Sequence, residues 1–329
     1  MSILVTGGAG FIGSHFVDKL YKEGYGKEVL VVDKFTYAGN MKNLENNNPL
    51  LCICDISDPE MEGIIELEKV DTVVNFAAET HVDRSISDPK AFINTDITGL
   101  VNLIHICVRK NIKKFVHIST DEVYGSISSG AFIEEQKLNP TSPYSASKAS
   151  ADLLLQSFYK TYNLPVVIVR PSNNYGTRQY PEKLIPMTIL RLLKGENALL
   201  HGEGQEVREW LHVDDCVNGI YKVLRDGKIG EIYNLGSSNR LNNLVVVESI
   251  LTIMGLNPDR IEKIKNRPGN DSRYAIDSIK AMQELDYNPN KSFFTEMEKI
   301  IRWHEENMDH WDNVNTDANI YRSNSQYLR

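Results

Sequence analysis

The chain is poor in cysteine and carries no excess of positive charge, and both shortages narrow what it can be. Its four cysteines, Cys52, Cys54, Cys107 and Cys216, do not form the C-x-x-C spacing of a redox or zinc site. Reduced thiols in a cytosolic protein are the expected reading, and no metal is expected. The formal net charge is -8 over 329 residues, which argues against a nucleic-acid backbone as partner. A phosphorylated small ligand stays open, because it needs only local donors. No basic leader precedes the first strand and no apolar run reads as long enough to cross a bilayer. A cytoplasmic location with no membrane partner is therefore expected. Internal repeats and low-complexity linkers are also missing. At 41% hydrophobic and 24% charged residues, the composition is that of a globular chain with material for one large or two moderate domains.

What is present alternates strand with helix. Ser2 to Thr6 reads as a short apolar strand running into Gly7-Gly8-Ala9-Gly10-Phe11-Ile12-Gly13, after which Ser14 to Tyr25 has helical periodicity. Gly7, Gly10 and Gly13 permit a tight turn, let the backbone approach a pyrophosphate and let the helix pack close to a sheet. The helix start, with Phe11 and Ile12, would offer amide donors to that pyrophosphate. A second strand, Glu28 to Val32, ends in Asp33, about 20 residues beyond the last glycine, where a dinucleotide ribose wants a carboxylate. An acid there repels a 2′-phosphate, so NAD is expected rather than NADP, although Lys34 follows directly. Leu50 to Cys54 is a third strand ending in Asp55, beside Ile56, near the expected adenine. Thr72 to Phe76 opens into Ala77 and Ala78, small enough to pack against a cofactor.

The stretch that carries chemistry is Ser119 to Gly125, STDEVYG, directly after the apolar strand Phe115 to Ile118. It places the Thr120 hydroxyl and the Asp121 and Glu122 carboxyl groups at a strand's carboxyl end, where open parallel sheets bind ligands. Two adjacent acids can divide general acid and general base work if their surroundings separate their proton affinities. Tyr144 and Lys148, four apart in YSASK, share a helix face, and a cation beside a phenol favours the phenolate. Tyr144 is thus a candidate base for a sugar hydroxyl. Uninterrupted alternation up to Gly176 predicts an α/β fold with a doubly wound parallel sheet. The rhythm then changes. Residues 1–176 are expected to form the NAD-binding domain, with 212–236 returning to it. Residues 177–211 and 237–308 are expected to form a smaller substrate-binding domain, with 309–329 as a tail.

TGGAGFIG and YSASK, joined by STDEVYG, AAETHVDRSI, SNNYG followed by YPEKLIP, and NRPGNDSRYAID, resemble the extended short-chain dehydrogenase/reductase superfamily. Within it they resemble the nucleotide-sugar 4,6-dehydratases of the dTDP-glucose type, over Met1 to about Trp303. Epimerases of the superfamily share the glycine turn and the tyrosine/lysine pair but not the Asp-Glu pair. The resemblance implies a Rossmann fold, NAD as cofactor, a nucleotide-diphosphate sugar as substrate, and a homodimer. It implies oxidation at carbon 4 with Tyr144 and Thr120 at the 4-hydroxyl, and removal of the carbon-5 proton by Glu122. Asp121 then protonates the departing 6-hydroxyl, hydride returns to carbon 6, and Lys148 holds the nicotinamide ribose. By the same resemblance Glu182 and Lys183 meet the base or ribose, Arg208 and Arg273 the diphosphate, Asn173 a phosphate oxygen, and His81 to Arg84 the sugar pocket. The chain departs from the family pattern at Thr177 and Arg178, where a proline and an aromatic are common, at Asn270 for histidine and at Asp96 for asparagine. An added arginine near the sugar leaves the hexose and base open, including an N-acetylated hexose or a 5,6-eliminating relative. An epimerase and a non-catalytic NAD-binding module remain as contrasting readings.

Overall fold

The computed structural model describes residues 1–266 and 268–311. Its strands are β1 (Ile3–Thr6), β2 (Val29–Asp33), β3 (Leu50–Ile53), β4 (Thr72–Asn75), β5 (Lys114–Ile118) and β6 (Val166–Pro171). There follow β7 (Asn173–Tyr175), β8 (Ala198–His201), β9 (Val207–His212), β10 (Ile232–Leu235), β11 (Arg240–Asn242) and β12 (Ile261–Ile264). The central sheet runs β10-β6-β5-β4-β1-β2-β3, parallel throughout. This is the doubly wound sheet that the alternation predicts, with β10 returning beside β6 as expected. The inner strands β1, β2, β4 and β6 are buried along their whole length, as strands covered on both faces must be.

Alternate residues of each strand feed two separate cores. Ile3, Val5, Val31 and Val169 face the helices Phe11–Lys22 and Val213–Asp226. Leu4, Leu30, Val73 and Ile168 face the apolar side chains of the helical run Pro89–Arg109 and of the helix Pro143–Tyr162. A third core, around Tyr175, Ile189, Trp210, Ile250 and Phe293, lies under β7, β9 and β11, which form a three-stranded sheet. β8 and β12 pair in parallel beside it.

Two expectations change. The run Pro89–Arg109, at 21 residues and a mean hydropathy of 1.4, is long and apolar enough by length and composition to cross a bilayer. Its apolar side is accounted for by packing, since Phe92, Leu100, Leu103, Ile104 and Cys107 are core residues. Within it Ile93–Gly99 is a π-helical turn, a feature that often marks functional sites. The expected tail begins too early at 309: Met308–Trp311 form a 3-10 turn with Trp311 buried, and 312–329 lie outside the described residues.

A buried ion pair fixes the chemistry-bearing turn to this frame. Arg170 Nε on β6 donates to Asp152 Oδ2 at 2.8 Å, with both side chains essentially inaccessible. Arg170 Nη1 also donates to the Tyr124 hydroxyl at 2.7 Å, and that hydroxyl donates to Asn234 Oδ1 on β10 at 2.9 Å. Removing one member of a buried pair strands the other charge. Asp152→Ala should therefore lower unfolding stability by about 3–5 kcal/mol in urea titration; a loss under about 1 kcal/mol would mean that Arg170 finds water or another acceptor.

Candidate active site

The cleft opens at the carboxyl ends of β1 and β4, where the strand order reverses. The chain leaves β1 through Gly7 at φ 67°, and a Cβ there would lie 2.7 Å from Ala77 N at the end of β4. A Cβ on Gly13 would lie 2.3 Å from Gly7 O, so only glycine lets the helix start against the turn. No side chain caps that helix, which leaves its first amides and dipole for an anion. Asp33, closing β2, accepts from Ala9 N at 2.9 Å and Phe35 N at 2.8 Å, and burial raises its proton affinity. Lys34 turns its ammonium to Asp55 at 3.1 Å and Thr95 at 3.0 Å, so it is engaged along the cleft wall.

β5 carries Ser119 and Thr120 to the same cleft. Thr120 Oγ1 accepts from Glu122 N at 3.3 Å and caps the 3-10 turn Asp121–Tyr124. Opposite, Pro143 and a reciprocal Ser142/Ser145 capping box start the helix that bears Tyr144 in its first turn and Lys148 one turn on. The Thr120 hydroxyl donates to Asp121 Oδ1 at 3.4 Å, and its nearness lowers the proton affinity of the Tyr144 phenol. The expected phenolate is not favoured by the protein alone. Burial, then Glu122, push Tyr144 well above its ordinary value, while Lys148 Nζ donates to Ile118 O at 2.7 Å. Burial lowers Lys148 in turn.

Asp96 belongs to this arrangement too. At 3% exposure, its Oδ1 accepts from Glu79 N at 2.9 Å and its Oδ2 from Ser147 Oγ at 2.6 Å, and its charge is felt at Lys148. The π-helical turn places it there. In the sequence it stands out only as a departure from the family pattern.

Every residue expected at the cofactor or in catalysis lines this one cleft, and of the substrate set Asn173, Glu182 and Lys183 do so. His81, Arg84, Arg208 and Arg273 are outside its lining. Arg84 stacks on Tyr37, 3.8 Å from the ring centre, and its Nε donates to Glu182 Oε2 at 2.8 Å; His81 caps the short helix Val82–Ser87. Arg208 stacks on Tyr274 at 4.3 Å and donates to Asn270 Oδ1 at 3.0 Å; Arg273 donates to Ile127 O at 3.3 Å. The loop that leads into Arg273 is tied down by Asp271, which accepts from Thr141 and from Tyr274 OH; position 267 lies outside the described residues. Arg178 is also outside the lining and pairs with Asp18 at 2.9 Å on the flank of the first helix. Ser119 Oγ, Ser172 Oγ, Asn174 Oδ1 and Gln179 Oε1 are buried, line the cleft and have no hydrogen-bond partner within the chain. Such atoms call for a polar ligand. Ser172 and Asn174 sit inside the SNNYG motif, and Gln179 just beyond it, but the motif alone does not say which side chains face inward.

Residues 4–300 match the family model described as GDP-mannose 4,6 dehydratase. The chain is 43% identical to a dTDP-glucose 4,6-dehydratase of Streptomyces antibioticus over 318 residues, 95% of each chain. The chain belongs to the nucleotide-sugar 4,6-dehydratases. Among solved structures, the dTDP-glucose 4,6-dehydratase DesIV of Streptomyces venezuelae, with NAD and TYD bound, superposes with a TM-score of 0.91 at 44% identity, covering 95% of this chain and 99% of that one. A UDP-glucose 4-epimerase of Thermotoga maritima superposes nearly as well, with a TM-score of 0.87 at 31% identity over 94% and 100% of the two chains. The frame is therefore common to both reactions, and the dehydratase reading turns on side chains.

In this dehydratase the two acids differ in their setting. Asp121 is 2% exposed, and burial, followed by the charges of Glu122 and Glu209, pushes its carboxyl well above its ordinary 3.8. The folded chain thus keeps the Asp121 proton to a higher pH than the unfolded chain does. The stability this contributes is complete below 3.8 and is lost as pH rises from there through the folded value. Asp121→Asn cannot ionise. Its unfolding stability relative to the unaltered protein should rise from about pH 4 to about pH 8 in urea titrations, and a flat difference would remove the raised proton affinity of Asp121.

Proposed function

We propose that the protein is an NAD-dependent dTDP-glucose 4,6-dehydratase, a hydro-lyase yielding the 4-keto-6-deoxy sugar nucleotide. The observation that carries this reading is the Thr120–Glu122 turn beside Tyr144 in one cleft, with its two adjacent carboxyl groups differing in burial. The relatives and DesIV support the nucleotide and the cofactor. The cleft suits NAD on its own chemistry: a glycine turn that Cβ atoms would block, an uncapped helix start, and Asp33 on the ribose side.

When bound, NAD would accept hydride from sugar carbon 4 and supply it to carbon 6. Tyr144 takes the 4-hydroxyl proton, with Thr120 in the same cleft to hydrogen-bond that oxygen. The new carbonyl acidifies the hydrogen on carbon 5, which Glu122 removes. Asp121, whose protonated form burial favours, gives its proton to the 6-hydroxyl, which leaves as water. Glu122 then returns a proton to carbon 5. The substrate side is assigned to residues 177–211 and 237–308, with Asn173, Glu182, Lys183, Arg208 and Arg273 toward the nucleotide and His81 to Arg84 toward the sugar wall.

Incubation with 4-deuterated dTDP-glucose tests the reading. The label should appear at carbon 6 of the same molecule, and Glu122→Gln should still exchange the label with the cofactor but release no water. Label kept at carbon 4 of a 5,6-alkene, or no turnover with dTDP-glucose beside turnover of a UDP-N-acetylhexosamine, would replace it.

A cytoplasmic homodimer completes the proposal. Leu153 and Tyr162, 58% and 50% exposed on the helix that carries Tyr144, are large apolar side chains suited to a second copy. Light scattering should give twice the chain mass, and Leu153→Lys should shift it toward one; a monomer at micromolar concentration sinks this part.

A further inference from the structure

Met308–Trp311 stand nearly 300 positions from the glycine turn, yet they touch the layer that supports it. His310 Nε2 lies 2.8 Å from Asn43 Oδ1, and Asn43 Nδ2 donates to Ala9 O, inside the glycine turn, at 2.7 Å. Because the Asn43 amide is oriented by Ala9, its oxygen can only accept, so the His310 ring is the donor. Burial, with Lys42 and Arg178, lowers His310 to about 4, so the ring is neutral at pH 7 and holds this role as a single tautomer. Asn40 repeats the link: its backbone N donates to Ala9 O at 3.1 Å and its side chain to His310 O at 2.9 Å. Ala9 N completes the series by donating to Asp33. On the other side Trp311 meets Tyr180 edge-on at 5.3 Å between ring centres, and Tyr180, which lines the cleft, meets Tyr37 in the same way at 5.1 Å.

We propose that Met308–Trp311 is a strap that holds the glycine turn and the Tyr180 wall at binding distance, so that retention of the dinucleotide depends on this distant turn. One short segment bridges the two walls between which a dinucleotide would lie. The inference rests on the reading of the cleft as an NAD site. His310 is a positioning residue and has no contact with the reacting atoms.

The test uses the full-length chain with His310→Ala and His310→Gln, the second of which keeps an N–H for Asn43. Two rates are read: release of NAD into excess unlabelled cofactor, and hydrogen exchange at the Ala9 and Gly10 amides compared with amides of β4. His310→Ala should speed both by about twofold to tenfold, the scale of one lost hydrogen bond, with the exchange effect confined to the turn. His310→Gln should return most of the difference. Equal acceleration of the β4 amides would mark general destabilisation and overturn the strap, as would unchanged rates in His310→Ala. If the unaltered chain binds no NAD, the cofactor reading fails by itself, and the exchange rates still decide whether the strap holds the turn.

Discussion

The close approach of three backbone segments at the glycine turn is the constraint on which the site depends. β1, the helix after it and the end of β4 meet so tightly that a single Cβ on Gly7 or Gly13 would overlap backbone atoms. Such overlap has no side chain to move aside, so relief would have to come from the sheet itself. Because the sheet cannot give, the helix start is fixed relative to the strand ends, and with it the line along which a pyrophosphate would run. Asp33, Ala77 and Thr120 are then placed by their strands along that line, each at a carboxyl end of the same parallel sheet.

Charge is the second constraint, and it follows from the first. Packing the turn, the capped helix and β5 together buries Asp121, Asp96, Tyr144 and Lys148 almost completely. Burial acts on all four in the direction of neutrality, raising the acids and the phenol and lowering the ammonium. The result is a site whose packing favours the proton-bearing forms of Asp121 and Tyr144, which suits a general acid and leaves the tyrosine dependent on a positive neighbour before it can act as a base. A nicotinium ring is such a neighbour. Lys148 is committed to Ile118 O and stands against Asp96, so its charge is partly spent before it reaches the phenol.

Much of this was legible in the sequence because it is local. The glycine spacing, Asp33, STDEVYG and YSASK each join residues within one strand–turn–helix unit, and the alternation of strand and helix orders the units. What escaped was non-local. Asp96 meets Glu79 and Ser147 across gaps of 17 and 51 residues, and only the π-helical turn brings them together. His310 meets Asn43 across 267 positions, which made the chain's end look like a tail. The apolar run at 89–109 is hard to read for a related reason: helical length and burial both depend on what packs against a segment, and the sequence does not display that.

The likeness to epimerases sharpens the question of what separates two reactions on one frame. Both need an oxidation at carbon 4 and a hydride returned, so both can share the glycine turn, the tyrosine and the lysine. Losing water across carbons 5 and 6 needs a base at one carbon and an acid at the next, acting while the carbonyl persists. Adjacent residues on one 3-10 turn supply both at that separation, provided they differ in protonation. A single turn gives the two carboxyls different burial: Asp121 is buried and Glu122 half-buried, and both line the cleft. Burial raises the proton affinity of Asp121, and ionising it would place a second charge beside Glu122 in a medium that screens poorly. On the dehydratase reading the two acids are separated by their burial on one short turn, and the Arg170–Tyr124 anchor holds that turn in place.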